Sequence, residues 1–546
     1  MLDPGVFVVK NSKKILFLIL SVFAAVFIAG CSPSSSKPAA TGQVIKYNIG
    51  AEPATLDPAL SSGLTEQTVA NALLEGLVRL DKDGLPAPGV AKSWDISPDQ
   101  RTYTFHLREC SWSNGEALTA HDFVYSWLRV LAPETASPYA YQLFYVVNGK
   151  EFNSGEVKDP ASVGIRAEGK DRLVVTLKDP VPYFLSLTAF PTLFPVPESA
   201  VSLDPAGWTQ TPAGFAGNGP FKLTAWEHNK QILLEKNDHY WDSENVKLKN
   251  LVITLVDDSN TELAMFESGQ IDIAETPPYR EVERLAKSGR LKLSPDLSNE
   301  YYMFNTKLKP FDNVQVRKAL SLAIDREALV TSLTKSGEKA AYAFVPPGVS
   351  GPAPGQDFRN LGEKIIEGFN PAEAKKMLAE AGFPEGRDFP KIKLLLDNNQ
   401  NHKAVAEAIT GMWCDHLGVQ SEIIEQEYKV YLSTMFEKDY QVARVGWIAD
   451  YNDPMTFLDM WIKGSDNNLA EWENADYDRL IGMAMGTAKG ATRSEALFEA
   501  EKILMNELPV VPIYYYTNPY LEKETIKDVI HPSFAFYAEF KWAYVE

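Results

Sequence analysis

The stretch from residue 391 to residue 454 constrains the fold more than any other part of this chain. Residues 392–396 are an apolar run of strand length, and residues 402–417 place Val405, Ile409, Met412 and Trp413 on one side at helical spacing. Residues 419–424 read as a second strand, 428–437 as a second helix and 440–447 as a third strand. Strands joined through helices enter the sheet in the same direction, so this succession predicts a parallel, doubly wound βαβαβ unit and an α/β fold. Ligands of such sheets sit beyond the carboxyl ends of the strands. That rule selects the loops 397–402, 425–428 and 448–454 as walls of a cleft.

The N-terminus says where the chain works. Lys10, Lys13 and Lys14 precede an apolar run over residues 15–27, and Ile28-Ala29-Gly30 places small residues before Cys31. The run is shorter than the roughly 20 residues that span a bilayer. The order resembles the lipobox of bacterial lipoproteins, which implies removal of residues 1–30, lipidation of Cys31, and a body held on the extracytoplasmic face of the cell membrane, the periplasmic side where the host has an outer membrane. Residues 31–45 are rich in Ser and Pro and read as a flexible tether. The rest, with 45% hydrophobic residues in the whole chain, is long enough for two or three domains. Formal net charge is −19, and loss of residues 1–30, which carry three lysines and one aspartate, takes it to −21. Such acidity argues against nucleic acid as a partner. Cys110 and Cys414 are the remaining cysteines, and nothing in their placement requires them to pair.

Elsewhere the chain reads as mixed α and β. Residues 66–77 and 120–130 have helical period, and 101–107, 173–177 and 232–234 read as strands. Trp112-Ser113-Asn114-Gly115 is a turn, and Asn218-Gly219-Pro220 is a breaker. Asn370-Pro371 opens a helix that Gly382 closes, with cap, first-turn proline and terminal glycine in their favoured places.

The run Ala443-Arg444-Val445-Gly446-Trp447-Ile448-Ala449-Asp450-Tyr451-Asn452-Asp453-Pro454 resembles the extracytoplasmic oligopeptide-binding proteins of ABC importers, solute-binding family 5. Glu52-Pro53-Ala54-Thr55-Leu56-Asp57-Pro58, Gly217-Asn218-Gly219-Pro220-Phe221 and Val511-Pro512-Ile513-Tyr514-Tyr515-Tyr516 extend the resemblance over nearly the whole body. It implies a two-lobed, periplasmic-binding-protein-like fold of class II (cluster C) with an extra domain on the first lobe. By the same resemblance, residues 46–75, 200–297 and 511–546 form the first lobe, 76–199 the extra domain and 298–510 the second lobe, with hinge crossings near 297 and 511. It also implies a monomer that binds short peptides without a cofactor and passes them to the transmembrane subunits of a permease.

In that family the residue matching Asp450 pairs with the ligand's α-amino group, and those matching Gly446 and Ile448 bond its backbone. Arg444 and His402 match positions that meet its carboxylate end, and Trp447, Tyr428 and Tyr301 match pocket aromatics. Taken alone, each residue has a plainer reading. Asp450 can be a turn or cap residue, Arg444 half of a strand-edge ion pair, His402 a surface residue opening a helix, and the aromatics core. Four positions depart from an enterobacterial relative: Ser298 and Ile448 replace a bridging cysteine pair, Tyr428 replaces tryptophan and Met435 replaces arginine.

An enzyme reading fails. Ser332-Leu333-Thr334-Lys335, Ser465-Asp466-Asn467 and Lys287-Ser288-Gly289 imitate the signatures of penicillin-recognising enzymes, but in the wrong order, and Ser332 falls near the end of a helix that Gly337 is expected to stop. The seven histidines show no metal-ligand spacing. A peptide-sensing lipoprotein, or a relative specialised for dipeptides or murein peptides, is the alternative to transport.

Overall fold

Two long strands, Leu291–Phe304 and Val510–Glu522, lie antiparallel and tie the molecule together. The computed structural model describes residues 42–546 apart from 354 and 363, so the leader, Cys31 and most of the tether fall outside the described residues. The two strands pair from Leu291 opposite Leu521 to Pro295 opposite Thr517, and again from Asn299 opposite Tyr515 to Met303 opposite Val510. Residues 296–298 between these runs have no partner on that edge.

Around this pair an 11-stranded sheet continues both ways. On one side follow Ile273–Ala274, Val44–Asn48, Asn250–Thr254, Gln231–Lys236 and Phe221–Glu227. On the other follow Val442–Ile448, Ile392–Asp397 and Ser421–Gln426, the last two parallel to each other and Ile392–Asp397 parallel to Val442–Ile448. The helices Gln400–Leu417 and Tyr428–Phe436 connect them, so the expected βαβαβ unit is present with no boundary moved by more than two residues. Trp413 is fully buried and its indole donates to the Leu320 carbonyl at 2.9 Å, which fixes the long helix against its neighbour Val314–Leu322. The Asn370 side chain accepts from the Glu373 amide at 3.2 Å to cap Pro371–Glu380, and Gly382 takes φ +100° just past its end.

A separate four-stranded sheet, in the order Ala91–Ile96, Thr102–Leu107, Arg172–Thr176 and Ile165–Ala167, is covered by the helix Ala120–Leu131. Tyr103, Phe105 and Leu107 alternate inward, as a half-buried strand requires, and Thr119 with Asp122 forms a capping box at the helix start.

Two local expectations are corrected. The helix expected over 66–77 is Leu64–Leu73, because Leu74 turns to extended backbone and Asn218 clamps Glu75 by hydrogen bonds of 3.0 and 2.9 Å to its main chain. Gly219 makes this approach possible, since a Cβ there would lie 2.6 Å from the Leu73 carbonyl carbon. The turn carrying Ser332 ends at Lys335, in left-handed conformation at φ +57°, and not at Gly337. Cys110 and Cys414 are both free.

Candidate functional site

The carboxyl ends of Ile392–Asp397 and Val442–Ile448 open onto a cavity of about 440 Å³. Its wall includes all eight residues singled out from the sequence: Tyr301, His402, Tyr428, Arg444, Gly446, Trp447, Ile448 and Asp450. Residues of the 46–75 and 511–546 segments, Gly63 and Tyr516 among them, line it as well.

The strand Val442–Ile448 presents an unfinished edge to this cavity. One edge pairs with Leu291–Phe304 along its whole length, while the other meets Ile392–Asp397 only at Val442 and Ala443. Ladder bonds at both ends, from the Ala449 amide to the Leu297 carbonyl and from the Asn305 amide to the Gln441 carbonyl, set the alternation. Val445 and Trp447 therefore bond inward, whereas Arg444, Gly446 and Ile448 turn their N–H and C=O groups to the open edge. The Arg444 carbonyl accepts from the Tyr431 hydroxyl at 2.6 Å. Gly446 and Ile448 engage no protein partner on that edge among the described residues.

Asp450 follows directly. It is 4% exposed, and Oδ2 accepts from the Gln142 amide at 3.0 Å and the Tyr141 hydroxyl at 3.3 Å. Burial, reinforced by Asp459, pushes its carboxyl well above the usual range against those two hydrogen bonds. The capping duty in this loop belongs to Asp453, whose Oδ1 accepts from the Met455 amide and whose carboxylate is gripped by Arg493 at 2.9 and 2.8 Å. Asp450 is thus a buried acid with no cation beside it.

Arg444 is already committed within the protein. Its Nε and Nη2 donate to the two oxygens of Glu300 at 2.8 and 2.5 Å, and Nη2 also contacts the Tyr516 hydroxyl. Burial works against its charge, but Glu300 foremost, then Tyr516 and Asp397, outweighs it and keeps the guanidinium protonated. The ion pair lies on an interior strand and not on a sheet edge. Nη1 remains, 3.8 Å from Asp397.

His402 sits in the first turn of Gln400–Leu417, where the Asn399 side chain accepts from its amide at 3.2 Å. Its Nδ1 lies 2.7 Å from Asp397 Oδ1, so the carboxylate orients the ring and leaves Nε2 for other contacts. Burial alone would raise Asp397, but His402 and then Arg444 hold it below the usual carboxylate range.

Of the aromatics, Tyr301 is 1% exposed and packs edge-on to Phe344 and Trp461, a core placement. Trp447 and Tyr428 are half-buried, and the buried Trp447 indole nitrogen has no hydrogen-bond partner. Tyr428 approaches Gly63 across the cavity, where a Cβ would stand 3.2 Å from its hydroxyl.

The cavity is closed by contacts that sequence reading missed. The Tyr145 hydroxyl donates to Asp459 at 3.1 Å, and Tyr183 stacks on Tyr451 with ring centres 4.2 Å apart and planes within 5°. With Tyr141 and Gln142, these residues come from the 76–199 segment, some 300 positions from their partners. Of the missed residues only Asp397 carried a sequence signal, its position at a strand's carboxyl end.

Two lobes around a central cavity, a buried acid and an unfinished strand edge define a binding receptor for a small solute. The chain belongs to the bacterial extracellular solute-binding proteins, family 5, whose middle region matches residues 86–468. It is 37% identical over 513 residues to the oligopeptide-binding protein OppA of Bacillus subtilis, covering 92% of this chain and 93% of that one. The fold matches the crystal structure of Haemophilus influenzae OppA in complex with RPPGFSPFR at TM-score 0.85 and 33% identity, over 92% of this chain and 99% of that one. It matches the murein tripeptide-binding protein MppA of Escherichia coli at 0.86 and 33% identity, over 93% and 99%, but a structure of MppA described as unliganded and open at only 0.64, over 93% and 98%. The architecture is the class II two-lobed fold. Members of this family are receptors and not enzymes, and the likeness is to oligopeptide-binding proteins of ABC importers.

Proposed function

We propose that this protein binds short peptides in extended conformation as an added strand on the open edge of Val442–Ile448. The observation that carries the reading is the set of N–H and C=O groups of Gly446 and Ile448 left without partners beside a cavity. Every peptide offers the same main-chain groups, so such an edge accepts many sequences. The α-amino group pairs with Asp450, whose buried carboxyl lacks a cation, and the carboxylate end lies toward His402 Nε2 and Arg444 Nη1. The peptide then runs antiparallel to the strand.

The lobes are assigned as residues 46–75, 200–297 and 511–546, and 298–510, with 76–199 on the first. The break in pairing at 296–298 supports the first of two hinge crossings, near 297 and 511. Lipidation of Cys31 holds the receptor to the membrane, from which the peptide passes to a permease. Among the described residues no helix is long and apolar enough to cross a membrane.

The test is to purify residues 32–546, release bound molecules with denaturant, and identify them by mass spectrometry. Calorimetry then compares peptide binding by the protein and by Asp450→Ala. A ladder of mixed short peptides, with binding weakened about 100-fold or more in the variant, is expected. A single non-peptide species, or binding indifferent to the substitution, would falsify the reading.

A further inference from the structure

The cavity wall carries more acidic than basic side chains. Asp257, Glu275, Asp296, Glu338, Asp397 and Asp450 line it, against Arg444 and His402 alone among the described residues. Arg444 is paired through Nε and Nη2 with Glu300 and His402 through Nδ1 with Asp397, which leaves only Nη1 and Nε2 to a ligand. Glu338 accepts from the Thr334 hydroxyl and the Ser336 amide, Asp257 from the Asn398 side chain, and Asp450 from Tyr141 and Gln142. Glu275 and Asp296 are different.

Glu275 is 6% exposed, and neither of its carboxylate oxygens has a hydrogen-bond partner. The His531 imidazole stands beside it, its Nδ1 3.5 Å away and itself without a hydrogen-bond partner. Asp296 stands in the unpaired bulge of Leu291–Phe304, and its Oδ1 is sealed from solvent without a donor. One short segment brings the two together: Glu275 lies against His531, the Leu297 amide next to Asp296 donates to the Ser533 carbonyl at 2.7 Å, and Tyr537 just beyond lines the same cavity. Burial carries the Glu275 and Asp296 carboxyls each up to about 7, Glu262 adding to the first while His531 and Tyr47 oppose, and Ser298 opposing in the second. Carboxyl oxygens sealed from water without donors are groups that a ligand's cation can satisfy, since only the His531 imidazole stands near Glu275 and no Lys or Arg side chain pairs with Asp296 among the described residues. Met435, at a position where a relative carries arginine, lines the wall as well and adds no positive charge.

We propose that Glu275 and Asp296 form a subsite for a cationic side chain of the bound peptide, lysine or arginine, whose aliphatic stem lies along Tyr537. The inference rests on the peptide reading above and adds a preference to it. Asp296 is two residues from Ser298, which pairs with Ile448, so the subsite adjoins the Ile448 end of the open edge. The stem covers apolar ring surface while the charge reaches the carboxyls, as long cationic side chains do elsewhere.

The test is a calorimetric scan of tripeptides in which lysine replaces alanine at each position in turn, each compared with its norleucine counterpart of equal length and no charge. The expected result is a preference of about ten- to 100-fold for lysine over norleucine at one position. That ratio is expected to fall toward one in Asp296→Asn and in Glu275→Gln. Trialanine binding by the unaltered protein separates the two readings. If trialanine binds but lysine is favoured nowhere, the subsite is wrong and the peptide reading stands. If no tripeptide binds, both fail. A lysine preference that survives in both variants overturns the assignment to these residues. Butylamine bound as tightly as the lysine peptide overturns a side-chain subsite in favour of a separate amine site. The norleucine comparison needs no substitution in the protein, so it holds even where a variant folds poorly.

Discussion

Arg444 and Glu300 form a two-pronged buried ion pair on neighbouring strands, diagonal to one another, since Arg444 stands opposite Tyr302 and Glu300 opposite Gly446. Both side chains are at most 9% exposed. The pair fixes the guanidinium at the cavity wall and removes two of its three nitrogens from ligand binding.

Breaking this pair is costly because it strands a buried charge. Glu300→Gln is expected to lower stability by about 3–5 kcal/mol in chemical denaturation. The double variant Glu300→Gln with Arg444→Met removes both charges and is expected to recover a large part of that loss. A double variant as unstable as the sum of its parts would mean that the pair is not the cause.

The open edge makes a prediction about alternation. In a β pairing only every second residue turns its N–H to a given neighbour. In a tetra-alanine series methylated on one amide nitrogen at a time, calorimetry is expected to show weakening of roughly tenfold or more at alternate positions and little between them. A uniform loss, or none, is incompatible with an added strand on Gly446 and Ile448.

Much of this site could be read from residues 391–454 because there local and global signals agree. Ile392 with Leu394 to Leu396 and the apolar side of the following helix specify one arrangement, and the rule for strand ends then locates the cleft. The partners of Asp450 are another matter. Tyr141 and Gln142 lie on a short 3-10 turn about 308 positions away, with no period to mark them and no chemistry to distinguish them from other surface polar residues. The end of the helix Leu64–Leu73 was hidden for the same reason, since a distant Asn218 and Gly219 set it. Glu300 lay outside every strand read from the sequence, and which of its neighbours is an arginine depends on register, which no single strand reveals.

Asp459 gives a pH dependence of stability. It is 6% exposed, accepts from Tyr145 and more weakly from Tyr451, and burial raises its carboxyl up to about 7, with Asp453 adding to the shift. A carboxyl whose folded pKa exceeds its unfolded value near 3.9 holds its proton more tightly when folded. Its contribution is present at low pH and is lost as pH rises from about 4 to about 7. Asp459→Asn, which never ionises, is therefore expected to be more stable than the parent at pH 8, on the order of 2 kcal/mol, and no more stable at pH 4. Melting curves at the two pH values decide it; an equal difference at both would exclude this carboxyl as the source.

Closure gives the last prediction. Tyr183 of the 76–199 segment and Tyr451, just past Asp450, stack face to face, and Arg493 stands 5.5 Å from the Tyr183 ring. Neither tyrosine ring lines the cavity, so the stack acts on the closed arrangement and not on the ligand. An aromatic pair adds about 0.5–1.5 kcal/mol beyond its buried area. Tyr183→Ala removes that from the closed form only, and a ligand bound by the closed form loses apparent affinity by the factor lost in its population. Peptides of different sequence are thus expected to weaken together, by about two- to tenfold or somewhat more, with their rank order kept. Small-angle scattering is expected to show compaction when peptide is added to the parent protein, and a smaller compaction in the variant at equal peptide concentration. A loss of affinity that differs from peptide to peptide would place Tyr183 in contact with the ligand, and an unchanged radius on peptide addition would leave the hinge at 296–298 without a motion to serve.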